Sequence, residues 1–174
     1  MSSPQRLKEK QDLEEKYKDL IGRPWPGRRY PGCYEVIQKY VKMELDRDLK
    51  SFAGLYTSFK DEAVAEENGV WITKPQWGEP LDFSVIQKND LLLYKIYSEA
   101  LGGGYSVKLK DRSPNHGAMY LGNKFILHQV WQEESRIDDL THPSCMLYQT
   151  SCVGVIREST TSVSYTHLTL PTKA

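Results

Sequence analysis

The chain lacks a long apolar run. None of its 174 residues falls in a stretch approaching the roughly 20 apolar residues of a membrane-crossing helix. The opening MSSPQRLKEKQDLEEK has no apolar segment of the kind a secretory signal needs, so no signal peptide is expected. Net charge is absent as well, with 23 Lys and Arg against 23 Asp and Glu. Nothing in that balance argues for nucleic acid or a membrane surface as a partner. Cysteine is scarce, with only Cys33, Cys145 and Cys152. An odd, sparse set is no disulfide framework. No Cys-x-x-Cys or His-x-x-x-His pair gives the spacing of a structural zinc site. The expectation is a reduced compartment and no metal or other cofactor.

What is present is enough apolar content for one core, 39% hydrophobic against 26% charged residues. Residues 1–21 read as an N-terminal charged helix, with Leu13, Tyr17 and Leu20 at helical spacing. This helix is expected to lie outside the core, as a docking element. Residues 22–32, GRPWPGRRYPG, are a loop rich in proline, glycine and arginine. A second helix opens at Cys33, whose apolar face carries Val36, Ile37, Tyr40 and Val41. Residues 59–68 read as a short acidic helix, 70–73 as a strand, and 91–97 as a strong strand. Gly102, Gly103 and Gly104 mark a loop. Residues 116–121 and 125–130 form a hairpin, and 146–148 and 152–156 are closing strands. Helices first and an antiparallel sheet after them make the fold class α+β. Ile37, Tyr40 and Val41 are expected to bury against Leu92, Tyr94, Met119 and Ile126.

The stretch with most chemical content is HGAMYLGNKFILH, residues 116–128. A three-residue loop, or a bulge, would place His116 and His128 on one face within reach of each other. A two-residue Gly122-Asn123 loop would set them on opposite faces. A thiol, plus a histidine oriented by a second polar group, is the minimum set for cysteine-dependent acyl transfer. Cys33 falls at a helix start, where unpaired amide N–H groups stabilise a thiolate and can receive an oxyanion. Gly32 before it allows close approach of a substrate carbonyl. In this reading Cys33 is the nucleophile, His116 the base and then the acid, and His128 orients His116. The Cys33 sulfur and a His116 ring nitrogen are expected within about 4 Å. The bland reading of Cys33 is a packed core cysteine, and of His116 a structural histidine.

These residues resemble the NlpC-type cell-wall peptidases, a branch of the papain-like cysteine peptidases. They are most similar to its phage tail assembly members of the lambda K type. The resemblance rests on several motifs: Gly22-Arg23-Pro24-Trp25 before Cys33-Tyr34-Glu35-Val36, then Asn89-Asp90-Leu91-Leu92-Leu93, then His116, Tyr120, Gly122 and His128 at family spacing. It covers about residues 20–157, with a peptidase domain expected over 22–158. Two positions depart from the family pattern: Gly32 stands where an Asp is usual, and Trp25 where a loop tyrosine is usual. Tyr30 is the nearest substitute hydroxyl, and Trp25, Tyr30, Gly32 and Tyr34 are the candidates for substrate and oxyanion contacts. The resemblance implies a papain-like fold of the NlpC type and a thiol endopeptidase or amidase acting on peptidoglycan stem peptides. It also implies phage tail-tip proteins as partners, and a place in the virion tail or the infected bacterial cytoplasm. Two alternatives stay open. One is a weakly active or inactive tail-tip assembly protein that retains the peptidase fold. The other is a permuted relative in which Cys145 or Cys152 is the nucleophile.

Residues 159–174 form a tail. Its stretch Ser164–Thr172, SYTHLTLPT, matches one reading frame of a transposase-type sequencing adapter, so 163–174 is expected to be an artefact of that origin. No role is assigned to His167.

Overall fold

In a computed structural model, described for residues 3–26, 32–49, 69–73, 80–96, 116–130 and 132–158, helices pack on one antiparallel sheet. The elements are α1 (Pro4–Lys16), α2 (Gly32–Leu45), β1 (Gly69–Thr73), β2 (Asp90–Tyr94), β3 (His116–Gly122), β4 (Phe125–Gln129) and β5 (Ser135–Asp139), followed by a 3₁₀ turn (Pro143–Cys145), α3 (Leu147–Thr150) and β6 (Cys152–Glu158). Among the described residues the sheet has six strands in the order β1-β6-β2-β3-β4-β5, every neighbouring pair antiparallel. The α+β expectation holds. The acidic helix proposed for 59–68, the glycine loop at 102–104 and the tail at 159–174 lie outside the described residues.

Strand alternation divides the core in two. Leu91, Leu93, Met119, Leu121, Phe125, Leu127 and Ile137 point to one face and meet Val36, Ile37, Tyr40 and Val41 of α2. Leu92, Tyr94, Ala118, Tyr120 and Ile126 point to the other face. There they pack with Leu140, Cys145, Tyr148 and Val155. The expected contacts of α2 with Leu92, Tyr94 and Ile126 are therefore corrected, because those residues have the opposite parity from Met119.

Helix α1 starts where Ser3 caps it, its side chain accepting from Arg6 N, with Pro4 at the first helical position. The helix itself buries no residue, but the chain just after it does. Tyr17 and Leu20 are in the core beside α2, with the Tyr17 and Tyr40 rings 5.3 Å apart. The expectation that residues 4–21 lie outside the core is corrected there. Arg6 ties α1 to the sheet through Nη2 to Asp139 Oδ1 at 2.6 Å and Nε to Asp139 Oδ2 at 3.2 Å, with its guanidinium 4.0 Å over Phe125.

The segment expected as a strand at 146–148 is helical. Pro143 opens a 3₁₀ turn capped by the His142 side chain, and α3 follows directly. Strand β5, by contrast, has a single apolar residue, Ile137, and hides in a polar stretch. Its inward positions Ser135, Ile137 and Asp139 are buried.

The hairpin settles the register on which the site depends. Ala118 faces His128, Met119 faces Leu127 and Tyr120 faces Ile126; then a bulge at Leu121 brings Gly122 opposite Phe125. Asn123 and Lys124 form the two-residue turn, both at positive φ (50° and 66°), after Gly122 at 87°. The bulge restores the register a three-residue loop would have given, so His116 and His128 share a face.

Candidate functional site

His116 opens β3 and His128 lies diagonally across on β4, both fully buried. His116 Nε2 and His128 Nδ1 are 2.8 Å apart. His128 Nε2 in turn lies 2.7 Å from Asp138 Oδ2 on β5, and Arg136 Nε donates to that same oxygen at 2.9 Å. The Arg136 Nη1 also donates to Glu133 Oε1. The result is a continuous polar row from His116 to Arg136. Tyr94 and Tyr148 flank it, with ring centroids 6.0 Å from His116 in each case.

Burial, the neighbouring His128 and the Arg136 charge push the His116 pKa well below that of an ordinary histidine. Burial alone would raise the Asp138 carboxyl. Hydrogen bonds and charge contacts with His128 and Arg136 outweigh it and hold the group well below the usual carboxylate range. His116 is thus neutral and Asp138 ionised at neutral pH. His116 Nδ1 is buried without a hydrogen-bond partner.

Sequence reasoning paired His116 with His128 but missed Asp138. The only signal was an Arg-x-Asp-Asp run just after the hairpin, and nothing in it fixes which carboxylate faces the histidines.

Cys33 lies in the first turn of α2 as expected, 1% exposed, in the cluster beneath that helix. It is not hydrogen-bonded to His116, whose free nitrogen has no partner. Strand parity sets the side on which each group packs. His116 and His128 project from the face opposite α2, with Ala118, Tyr120 and Ile126, whereas Cys33 packs on the α2 side. The two groups still share one end of the sheet. The first turn of α2 lies against Gln129, the last residue of β4, in a cleft of about 410 Å³ lined also by Arg23, Pro24 and Trp25. Trp25 is therefore beside the start of α2. Tyr34 is 1% exposed and packs in the core cluster, so it walls no open groove. Tyr30 lies outside the described residues. Gly32 is the first residue of α2.

Cys145 and Cys152 belong to the cluster on the histidine face, and none of the three cysteines is in a disulfide. Burial pushes the Cys145 thiol up and that of Cys152 to about 12, so neither is prepared as a thiolate.

Two features carry the chain toward α2. Ser135 Oγ donates to Leu20 O at 2.7 Å and accepts from Arg23 N at 3.0 Å. Gly22 N donates to Ser135 O, and Ser135 N to Arg23 O. Residues 20–23 are thereby laced to β5, which sets where the proline loop leaves the sheet. Asn89 stands at positive φ (77°), which suits asparagine in place of glycine, and its Oδ1 accepts from the Tyr40 hydroxyl at 2.6 Å.

No family model matches the chain, and no curated protein matches it. Solved structures do. A NlpC/P60 family protein from Bacillus cereus ATCC 10987 aligns at a TM-score of 0.29 and 23% identity, over 47% of this chain and 22% of that one. A protein described as similar to lipoprotein, NLP/P60 family, from Staphylococcus aureus subsp. aureus Mu50 aligns at a TM-score of 0.45 and 16% identity, over 86% of this chain and 41% of that one. The chain thus spans less than half the length of either protein.

Proposed function

We propose that the protein is a thiol hydrolase of amide bonds, in which Cys33 attacks the carbonyl carbon and His116 Nδ1 takes the thiol proton. The single observation that carries this reading is the bare, buried Nδ1 of His116, backed by His128 and Asp138. After attack, the imidazolium returns its proton to the leaving amine. Water, deprotonated by the same nitrogen, then clears the thioester. The pattern from Cys33 to His128 resembles the NlpC-type peptidases, and this supports peptidoglycan stem peptides as substrate and a phage tail as setting. The reaction requires the Cys33 sulfur to reach Nδ1 at the shared end of the sheet. Gly117, which carries no side chain, is the strand residue between His116 and Ala118 there.

The test is digestion of purified peptidoglycan, with released fragments identified by mass spectrometry. Cys33→Ala is expected to lose several orders of magnitude in rate. Cleavage by that variant at the wild-type rate overturns the reading.

The position of Cys33 in the α2 cluster favours a second reading, a tail-tip assembly protein that keeps the fold with little activity. Thiol labelling separates the two. Faster labelling of Cys33 than of Cys145 and Cys152 near neutral pH supports the hydrolase. Slow labelling with an ordinary thiol pKa supports the assembly role.

A further inference from the structure

We propose that Asp138, clamped by Arg136, is the positioning residue that sets the tautomer of both histidines and so leaves His116 Nδ1 a bare acceptor. The use to which that nitrogen is put rests on the thiol-hydrolase reading; the tautomers do not.

Arg136 fixes the polarity of the row, because a guanidinium can only donate. Its Nε donates to Asp138 Oδ2, so the atom at that place must accept. Glu133 holds the other side of the guanidinium and fixes its orientation. The same Oδ2 faces His128 Nε2 at 2.7 Å, so His128 Nε2 must carry the proton. In a neutral imidazole, Nδ1 is then the acceptor. His128 Nδ1 faces His116 Nε2 at 2.8 Å, so His116 Nε2 in turn carries the proton. His116 Nδ1 is left with its lone pair exposed to the interior. That is the atom for which the structure shows no partner.

Among the described residues, the two tyrosines beside the row are consistent with this polarity. Tyr94 from β2 and Tyr148 from α3 meet the histidines with their rings, and neither hydroxyl bonds to an imidazole nitrogen. Asp138 also reaches the wall of a cleft of about 410 Å³ that it shares with Arg6, Lys10, His142 and Cys145. The anionic end of the row is therefore the end nearer solvent, and the bare nitrogen is the buried end. When His116 gains a proton at Nδ1, the Asp138 charge stabilises it through His128 without any further transfer.

The competing assignment has His128 doubly protonated. Its Nδ1–H would then donate to a bare His116 Nε2, and neutral His116 would carry its proton on Nδ1, useless as a base.

Two-bond ¹⁵N–¹H correlation spectra of the full chain, labelled in histidine, distinguish these states. The expected wild-type result is that both His116 and His128 are neutral Nε2–H tautomers near neutral pH. Asp138→Asn is expected to keep both tautomers, because Arg136 still demands an acceptor and turns the amide oxygen toward His128. Asp138→Ala is expected to shift His128 toward Nδ1–H, with His116 following. A wild-type spectrum showing His128 doubly protonated, or His116 as Nδ1–H, overturns the proposal, and that measurement needs no variant to fold. Unchanged tautomers in a folded Asp138→Ala protein overturn it as well. No readout involves peptide cleavage, so loss of the hydrolase reading and loss of this one register separately.

Discussion

The Tyr148 ring stands at 90° to the His128 ring, with centroids 4.8 Å apart. An edge-to-face contact of this kind both packs and orients. Tyr148 belongs to a helix of only four residues, yet it touches His116, His128 and Tyr94 together. It is the lid over the polar row on the face away from α2. Tyr148→Ala is expected to destabilise by about 3–5 kcal/mol, the usual range for removing a buried aromatic. It should also admit water beside His116. Because burial is the largest cause of that group's low pKa, the pKa should move back up toward 6.5, as followed by NMR titration of the ring. A folded variant with an unmoved His116 titration would show that Tyr148 does not seal the row.

Stability should fall with acid in two stages. His116 stays neutral in the folded state below the pH at which it charges in the unfolded chain. The unfolded state thus binds the extra proton as pH drops below about 6.5, and the folded state is penalised. Asp138, held ionised in the fold, adds a second loss of the same sign below about 3.8. Thermal unfolding between pH 8 and pH 5 should show the first stage as a falling Tm. His116→Gln, which cannot titrate there, should flatten that slope. Equal slopes in the two proteins would assign the acid sensitivity elsewhere.

Whether Cys33 and His116 meet is open to a direct chemical measurement. A disulfide forms only when two Cα atoms come within about 7 Å. In His116→Cys, mild oxidation followed by peptide mapping should yield a bridge from Cys33 to the introduced thiol if Cys33 works with the histidine row. An introduced thiol bridged only to Cys152, or left reduced, would mean that the α2 side and the histidine side stay apart.

The N-terminal segment should divide functionally at Tyr17. Arg6→Ala removes a two-point ion pair with Asp139 and the contact over Phe125. The expected cost is about 1–3 kcal/mol, a Tm drop of about 2–4 °C for each kcal/mol at this size. Leu20→Ala, acting on the core itself, should cost about 2–5 kcal/mol. Removal of residues 1–16 should leave a cooperative transition at lower temperature, while removal of 1–21 should abolish it. A cooperative transition after the longer deletion would place Tyr17 and Leu20 outside the folding unit.

The hairpin, the Cys33 helix and the closing strand β6 were legible because each has a strong local signature: alternation, helical spacing or a turn pair. His116 and His128 could be placed on one face from their spacing once a bulge or a third loop residue was allowed. The bulge at Leu121 is what the protein uses. The side of the sheet that α2 covers was not legible, because the strands are apolar on both faces. Leu91, Leu92 and Leu93 are all buried, so hydrophobicity gives no parity. Strand β5 and Asp138 were hidden for the opposite reason, since a polar strand at the sheet margin looks like loop until its partner is known. The helical turn at 143–150 opens on a cap from the His142 side chain, a local hydrogen bond that the apolar pattern of the segment does not reveal.

The lacing of Leu20, Gly22 and Arg23 to Ser135 spans more than a hundred residues of chain. Ribosomes deliver the amino terminus first, so the helix carrying Cys33 is complete long before its anchor exists. Until Ser135 emerges and β5 closes onto β4, residues 20–23 lack all four of these bonds. The His128–Asp138 contact waits on the same strand. Arrival of one short polar strand therefore fastens the proline loop and completes the histidine row in a single event, and a nascent chain cut short before it carries Cys33 with the row unfinished.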